Sequence, residues 1–335
     1  MKRANFLIER IANPDNLRLA FWKASRHKNG KIEVIKYRNS LDKNLLLLRS
    51  EILSGDVDVG HYHYFKIYDP KERLICASAF KERVLHHALM NVCHEYFERY
   101  QVFDSYACRI GKGTYAALNR AKSFQKKYLW FLKLDIRKYF YSISHDILKQ
   151  QLQDMFKENK LLNIFGRIID SYHHSQDEGI PIGNLTSQYF ANHYLSISDR
   201  YIKENLHIPA YVRYMDDMVL WSDDKPKLIN TAKHLEQFIK EALNLKLKPF
   251  CMNSTERGLP FLGYILYPHK TRLGCESRRR FRAKFNDYSL NLNSEIWTQY
   301  EYQRHILPLL AFTRYANSRA WRNVFFSSFF AGVKK

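Results

Sequence analysis

The most constraining stretch of this chain is Tyr211-Val212-Arg213-Tyr214-Met215-Asp216-Asp217-Met218-Val219-Leu220-Trp221, where two apolar runs flank a pair of adjacent carboxylates. Short runs rich in Val, Tyr and Trp predict two strands joined by a tight turn, although no Asn-Gly or Asp-Gly marks the bend. A second apolar run, Leu129-Trp130-Phe131-Leu132-Lys133-Leu134, ends in Asp135. A carboxylate adjoining a core strand bears a desolvation cost unless a cation or hydrogen bonds compensate it. Three carboxylates brought together would repel one another. A divalent cation resolves that conflict, and a phosphate-bearing substrate completes its coordination. Mg²⁺ suits such a site because it takes hard oxygen ligands and tolerates one or two carboxylates with water and phosphate oxygens. Two such ions about 4 Å apart could activate a hydroxyl and neutralise a departing pyrophosphate.

Charge narrows the partner. The 335 residues hold 54 Lys and Arg against 33 Asp and Glu, a formal net charge of +21, which favours a polyanion. Aromatic residues make up 15% of the chain, and rings among cations suit single-stranded nucleic acid, whose bases stack while its phosphates pair. Most individual rings are nonetheless expected in the core. Apolar stretches such as Ile306 to Phe312 are far shorter than the roughly 18 residues of a membrane span. The apolar start Phe6-Leu7-Ile8 is broken at once by Glu9-Arg10, so no secretory signal is expected. Five Cys without a CxxC pair read as reduced thiols in a cytoplasmic setting. The paired histidines (His61/His63, His86/His87, His173/His174) have no Cys or acidic ligand at zinc-like spacing and are not read as a metal site.

Periodicity sets the organisation. Apolar residues at 84, 85, 88, 89, 92, 93, 96 and 97 predict an amphipathic helix, as does the spacing over Phe190 to Ile202 and Leu235 to Leu243. Phe261 to Tyr267 reads as a further strand, and short strands with packing helices give an α+β fold. Residues 1–60 form a basic lead-in with a leucine run at Leu45 to Leu48. A boundary is expected near residue 268, beyond which Arg272, Arg278, Arg279, Arg280, Arg282 and Lys284 crowd into 13 residues before a helical, aromatic end. That cluster is read as a phosphate-contacting surface.

Six blocks, in order between residues 71 and 267, resemble the reverse transcriptases. Lys71-Glu72-Arg73-Leu74-Ile75 with the helix from Lys81 is similar to the fingers motif, and Tyr106 to Thr114 to the second family block. Phe131 to Phe140 resembles the first catalytic strand, and Gly179-Ile180-Pro181-Ile182-Gly183-Asn184-Leu185-Thr186-Ser187-Gln188 the template and nucleotide segment. Tyr214-Met215-Asp216-Asp217 resembles the catalytic hairpin, and Phe261-Leu262-Gly263-Tyr264 the primer grip. Most members carry Gln where Ile182 stands and Pro where Gln188 stands. The form seen here resembles the enzymes of diversity-generating retroelements, which copy a template RNA with frequent errors opposite adenine.

The resemblance implies a right hand: fingers and a ferredoxin-like palm over 61–267, with a short helical thumb over 268–335. It implies RNA-directed DNA polymerase activity with two Mg²⁺ on Asp135, Asp216 and Asp217. Arg73 and Lys71 would meet the triphosphate of the incoming dNTP. Phe140 (Tyr139 in its stead) would exclude a ribose 2′-hydroxyl, while Ile182, Gly183 and Gln188 would line the template–nucleotide pair. Lys246 or Lys248 would protonate pyrophosphate. Implied partners are a template RNA, the RNA/cDNA duplex and a small basic accessory variability protein that forms a pentameric ring; the implied origin is bacterial or phage. Other readings are a different prokaryotic reverse transcriptase (antiphage, retron or group II intron type) and an RNA-binding protein without catalysis.

Overall fold

A computed structural model describes residues 3–68 and 72–333, with side chains as far as Phe329; Lys71 lies outside the described residues. Four helices lead: α1 (Ile8–Ile11), α2 (Pro14–Ser25), α3 (Ile32–Asn39) and α4 (Leu41–Ser54). The antiparallel pair β1 (Tyr62–Ile67) and β2 (Arg73–Ser78) follows, then the long α5 (Phe80–Tyr100). Next come α6 (Thr114–Lys127), β3 (Trp130–Leu134), α7 (His145–Met155), α8 (Asn159–Asp170), α9 (Leu185–Tyr194) and α10 (Ser196–Arg200). The hairpin β4 (Tyr211–Tyr214) and β5 (Asp217–Ser222) leads to α11 (Lys225–Leu243) and β6 (Cys251–Ser254). A sheet of β7 (Leu259–Phe261), β8 (Tyr264–Leu266) and β9 (Thr271–Leu273) precedes α12 (Cys275–Asn293), α13 (Gln299–Arg314) and α14 (Arg319–Val333).

The central sheet has the order β4-β5-β3-β6 with antiparallel neighbours throughout. With helices between β3 and β4 and α11 between β5 and β6, this is a ferredoxin-like split βαβ arrangement. Alternation along each strand gives the sheet two buried faces. Leu132, Leu134, Met218 and Leu220 join the larger core, with residues of the N-terminal helices, α5, α7, α8, α9 and α11. Phe131, Val212, Val219 and Trp221 join a second core with α6 and β7–β9. Buried Gln125 couples that second layer: Trp221 Nε1 donates to its Oε1 (2.8 Å), and its Nε2 donates to Thr255 O and Leu266 O, both at 3.0 Å.

The helical stripe of α5 is buried as its spacing requires, at Val84, Leu85, Ala88, Leu89, Val92, Cys93 and Phe97. Helix α11 starts where Asp224 accepts from Lys227 N (2.9 Å) with Pro in the first turn, and it stops at Asn244, whose φ is +50°. The basic lead-in is four helices whose Ile11, Leu17, Ala20, Leu48 and Ile52 enter the main core. One expectation is corrected: Phe261 to Tyr267 is not a single strand. Leu262 and Gly263 take φ of +48° and +87°, which turns the chain into the β7–β8 hairpin. This three-stranded sheet runs across residue 268, and the all-helical stretch carrying Arg278 to Lys284 begins at Cys275. Among the described residues no helix is long and apolar enough to cross a membrane.

A buried ion pair joins the helical layer to the β4–β5 hairpin. Arg213 and Asp199 both have side-chain exposures of 0%, and the guanidinium donates from Nε to Oδ1 (2.7 Å) and from Nη2 to Oδ2 (2.6 Å). Its other protons go to Asn192 Oδ1, Gln101 Oε1, Asn192 O and Met215 O at 3.1–3.2 Å, and Tyr211 Oη donates to Asp199 Oδ1 (2.7 Å). Removing one partner strands a buried charge. Asp199→Ala should therefore cost about 3–5 kcal/mol in urea denaturation, and Arg213→Met with Asp199→Leu together clearly less than the sum of the single changes.

Candidate active site

The ladder of the sheet brings the carboxylates together. Leu134 pairs with Met218, so the residue after β3, Asp135, emerges beside Asp217 at the start of β5. Tyr214 pairs with Asp217 across a two-residue turn of Met215 and Asp216. Met215 holds a φ of +56°, a left-handed conformation unusual for a bulky residue, and Arg213 Nη1 donates to its carbonyl. The Asp135 and Asp216 carboxylates lie close enough for the charge on one to bear on the other.

Electrostatics follow from that crowding. Burial raises the Asp216 pKa above the ordinary carboxylate value, the Asp135 charge adds to the effect, and Lys248 opposes it. Burial also lifts Asp217 to about 6, against the pull of Lys133 and with reinforcement from Asp135 and Asp216. Two lysines balance the charge. Lys248 Nζ donates to Asp135 Oδ2 at 2.6 Å, placed there because Lys248 N donates to Asp135 O (2.8 Å) and Arg137 N to Lys246 O (2.9 Å). Lys133 Nζ lies 3.1 Å from Asp217 Oδ1 but out of line for a hydrogen bond, and it donates to Pro260 O (3.0 Å). Asp135 Oδ1 and Asp217 Oδ1 are buried without a hydrogen-bond donor. Hard oxygen donors, two of them without a hydrogen-bond donor and with the proton affinity of Asp216 and Asp217 raised, are a set that fits a divalent cation.

The other expected residues are placed as follows. Phe140 lies half-buried in a 3₁₀ turn spanning Tyr139–Tyr141, and its carbonyl accepts from Ile180 N (2.8 Å). Tyr139 is buried with its hydroxyl donating to Ala191 O. Ile182 is half-buried, and its carbonyl accepts from Cys76 N of β2 at 2.8 Å. Gly183 has φ +122°, and a Cβ there would meet Ile75 Cγ2 at 2.9 Å, so both conformation and space demand glycine. Gln188, on α9, lines a cavity of about 210 Å³ with Lys23, Arg26, Lys28 and Arg83. Arg73 is exposed at the start of β2, opposite Ile67. Two supporting features escape spacing arguments, the Lys248 contact and the Arg213 brace, although an Arg inside an apolar strand is itself a visible signal.

A family profile described as Reverse transcriptase (RNA-dependent DNA polymerase) matches residues 69–266, and the chain belongs to this family. Members of that family use divalent cations. Among curated proteins, the chain is 21% identical over 151 residues to the COX1/OXI3 intron 2 protein of Saccharomyces cerevisiae, covering 43% of this chain and 16% of that protein. It is 27% identical over 85 residues to the mitochondrial nuclear intron maturase 1 of Arabidopsis thaliana, covering 25% of this chain and 12% of that protein. The fold is similar to apo telomerase from Candida tropicalis (TM-score 0.51, 12% identity, 64% of this chain and 49% of that chain). It is also similar to telomerase from Candida albicans in complex with a TWJ fragment of telomeric RNA (TM-score 0.50, 12% identity, 72% and 52% covered). The chain thus spans about half of those structures and a small part of the curated relatives.

Because folded Asp217 binds its proton more tightly than an unfolded aspartate, the cation-free protein should lose stability as pH rises from about 4 to about 6. Thermal melts in EDTA should show the midpoint falling across that window. Asp217→Asn should flatten the fall, and added Mg²⁺ should offset it above pH 6.

Proposed function

We propose that this chain is an RNA-directed DNA polymerase of the diversity-generating retroelement type, copying a template RNA into cDNA by two-metal nucleotidyl transfer. One observation carries the reading: Asp135 and the Asp216–Asp217 pair, 81 residues apart at their nearest, meet at one end of the palm sheet with orphaned oxygens. Asp135 and Asp216 would hold two Mg²⁺, with Asp217 assisting. Bound there, Mg²⁺ would ease loss of the primer 3′-hydroxyl proton and neutralise charge on the departing pyrophosphate.

The chain's own residues supply the rest. Of the two candidate lysines, Lys248 is the one whose ammonium touches the carboxylate cluster, which favours it as the proton donor to pyrophosphate. Arg73, exposed on β2, presents a planar fork suited to a triphosphate, and Lys71 is its companion in the motif. Phe140 is the sugar gate; Ile182, Gly183 and Gln188 line the template–nucleotide pair. Fingers and palm would take 61–267 and the thumb 268–335, with the thumb's helices starting at Cys275 after the sheet that crosses residue 268. Partners are a template RNA, the RNA/cDNA duplex, dNTPs and a small basic accessory protein ring. The relatives, an intron protein and an intron maturase, favour a second reading, an intron-type reverse transcriptase, and a template/variable repeat pair beside the gene would decide against it.

Asp216→Asn should lower Mg²⁺-dependent primer extension on RNA by at least about 1,000-fold while leaving the thermal unfolding midpoint near its original value. Retained synthesis would overturn the assignment. Ile182 offers contact area where Gln would offer a directional hydrogen bond, so discrimination between well and badly seated nucleotides should be weak. Sequenced cDNA should show excess errors opposite template adenine, and Ile182→Gln should reduce them by about tenfold, the factor one good hydrogen bond supplies. Equal error rates at all four template bases, unchanged by the substitution, would remove the retroelement subtype.

A further inference from the structure

We infer that the loop joining α8 to α9 carries a metal site of its own, for a transition-metal dication of the Zn²⁺ class, built from His145, His173, Asp177 and Asp170. The site shares no residue with the carboxylate cluster at the β4–β5 turn and does not depend on the polymerase reading.

His145, the first residue of α7, is only 1% exposed. Its Nε2 lies 2.7 Å from Gly179 O. A carbonyl only accepts, so Nε2 carries a ring proton, and in the neutral ring Nδ1 presents a lone pair. That Nδ1 is buried with no hydrogen-bond partner. Asp170 Oδ1 lies 3.3 Å from it. In the neutral ring this lone pair, buried and unpartnered, is a ready donor for a metal cation. The separation is also the edge of a tetrahedron with metal–ligand bonds of about 2.0–2.1 Å. Lys149 Nζ donates to Asp170 Oδ2 and lies equally close to Oδ1, both at 2.7 Å, so Asp170 would be a one-oxygen ligand that shares Oδ1 with the ammonium, and His145, His173 and Asp177 are the principal set.

Two exposed side chains complete the set. One ligand atom each of His145, His173 and Asp177 lie within 4.8 Å of one another, and the His145 and His173 rings are 4.9 Å apart. The loop is already closed by backbone bonds: His145 N donates to Asp177 O (2.9 Å), His174 N to Glu178 O (2.9 Å) and Gly179 N to Ile143 O (2.8 Å). The backbone thus already holds the three ligand-bearing residues side by side before any cation binds. Two imidazoles with carboxylates select Zn²⁺ over Mg²⁺, which prefers an all-oxygen shell. Sequence spacing missed the site because its buried ligand, His145, is 28 positions before His173. A cation here would pin the loop to α7, next to Gly179 and Ile180, whose backbone reaches Phe140.

The test uses the full chain bearing Asp216→Asn, which weakens the carboxylate cluster as a competitor, stripped with a chelator and held in millimolar Mg²⁺. Titration should show one Zn²⁺ per chain with a Kd of about 1 µM or tighter, a higher unfolding midpoint, and visible absorption bands of four-coordinate Co²⁺ on substitution. His173→Ala and Asp177→Asn, both at exposed positions, should each weaken Zn²⁺ by at least about tenfold, and the equally exposed His63→Ala should not. Zn²⁺ binding that survives both loop substitutions, or none tighter than about 100 µM, overturns the site.

Discussion

The buried Arg213–Asp199 pair is the constraint on which the rest of the structure hangs. A guanidinium with 0% side-chain exposure can be kept only if each proton finds an acceptor, and Asp199, Asn192, Gln101 and the carbonyl of Met215 provide them. Those acceptors come from α10, α9, the residue after α5 and the hairpin turn. The turn cannot shift without leaving an arginine proton unpaired in the core. Met215 is thereby held at a φ that its own side chain disfavours, and the register that sets Asp217 opposite Tyr214 is held with it. The ion pair costs desolvation energy, and the return is positional: two carboxylates are fixed at a sheet edge where Asp135 is already waiting.

Charge balance at that edge explains why so basic a chain needs lysines among its carboxylates. Three acids with little water between them would shed stability in their ionised forms, and the raised proton affinity of Asp216 and Asp217 expresses that cost. Lys248 and Lys133 lower it without removing it, since one oxygen of Asp135 and one of Asp217 stay without a donor. The arrangement is strained in the direction of cation uptake. A divalent ion held by these carboxylates would relieve the repulsion more fully than an ammonium.

What could be read from the sequence follows from how local each signal is. The β4–β5 hairpin was legible because its apolar runs are short and separated by a pair of acids, and α5 because its stripe repeats through several turns. The β7–β8 hairpin was not, because Leu262 takes a positive φ that no residue preference announces and Gly263 alone is a weak mark inside an apolar run. The N-terminal helices carry too many charges for their core contribution to stand out; Leu45 and Leu48 are buried while Leu46 and Leu47 are exposed, as a helix demands of a four-leucine run. Among site residues, the carboxylates were legible from strand ends, whereas His145 and Lys248 owe their places to contacts across 28 and 113 positions.

The segment around Ile182 shows how selectivity can vary on a fixed frame. Its path is fastened by main-chain groups: Ile180 N to Phe140 O, and Ile182 O from Cys76 N, both at 2.8 Å, with Ser78 N reaching Asn184 Oδ1 at 3.2 Å. The first of these bonds joins the segment to the turn that follows β3, and the other two join it to β2. None uses the side chain of Phe140, Ile182 or Gln188, while Gly183 is required by its φ and by Ile75. Because these bonds do not use the Ile182 side chain, its exchange for a polar residue should leave the path of the segment in place. On the proposed reading, fidelity would be set by a side chain that the main-chain fastening leaves free to vary.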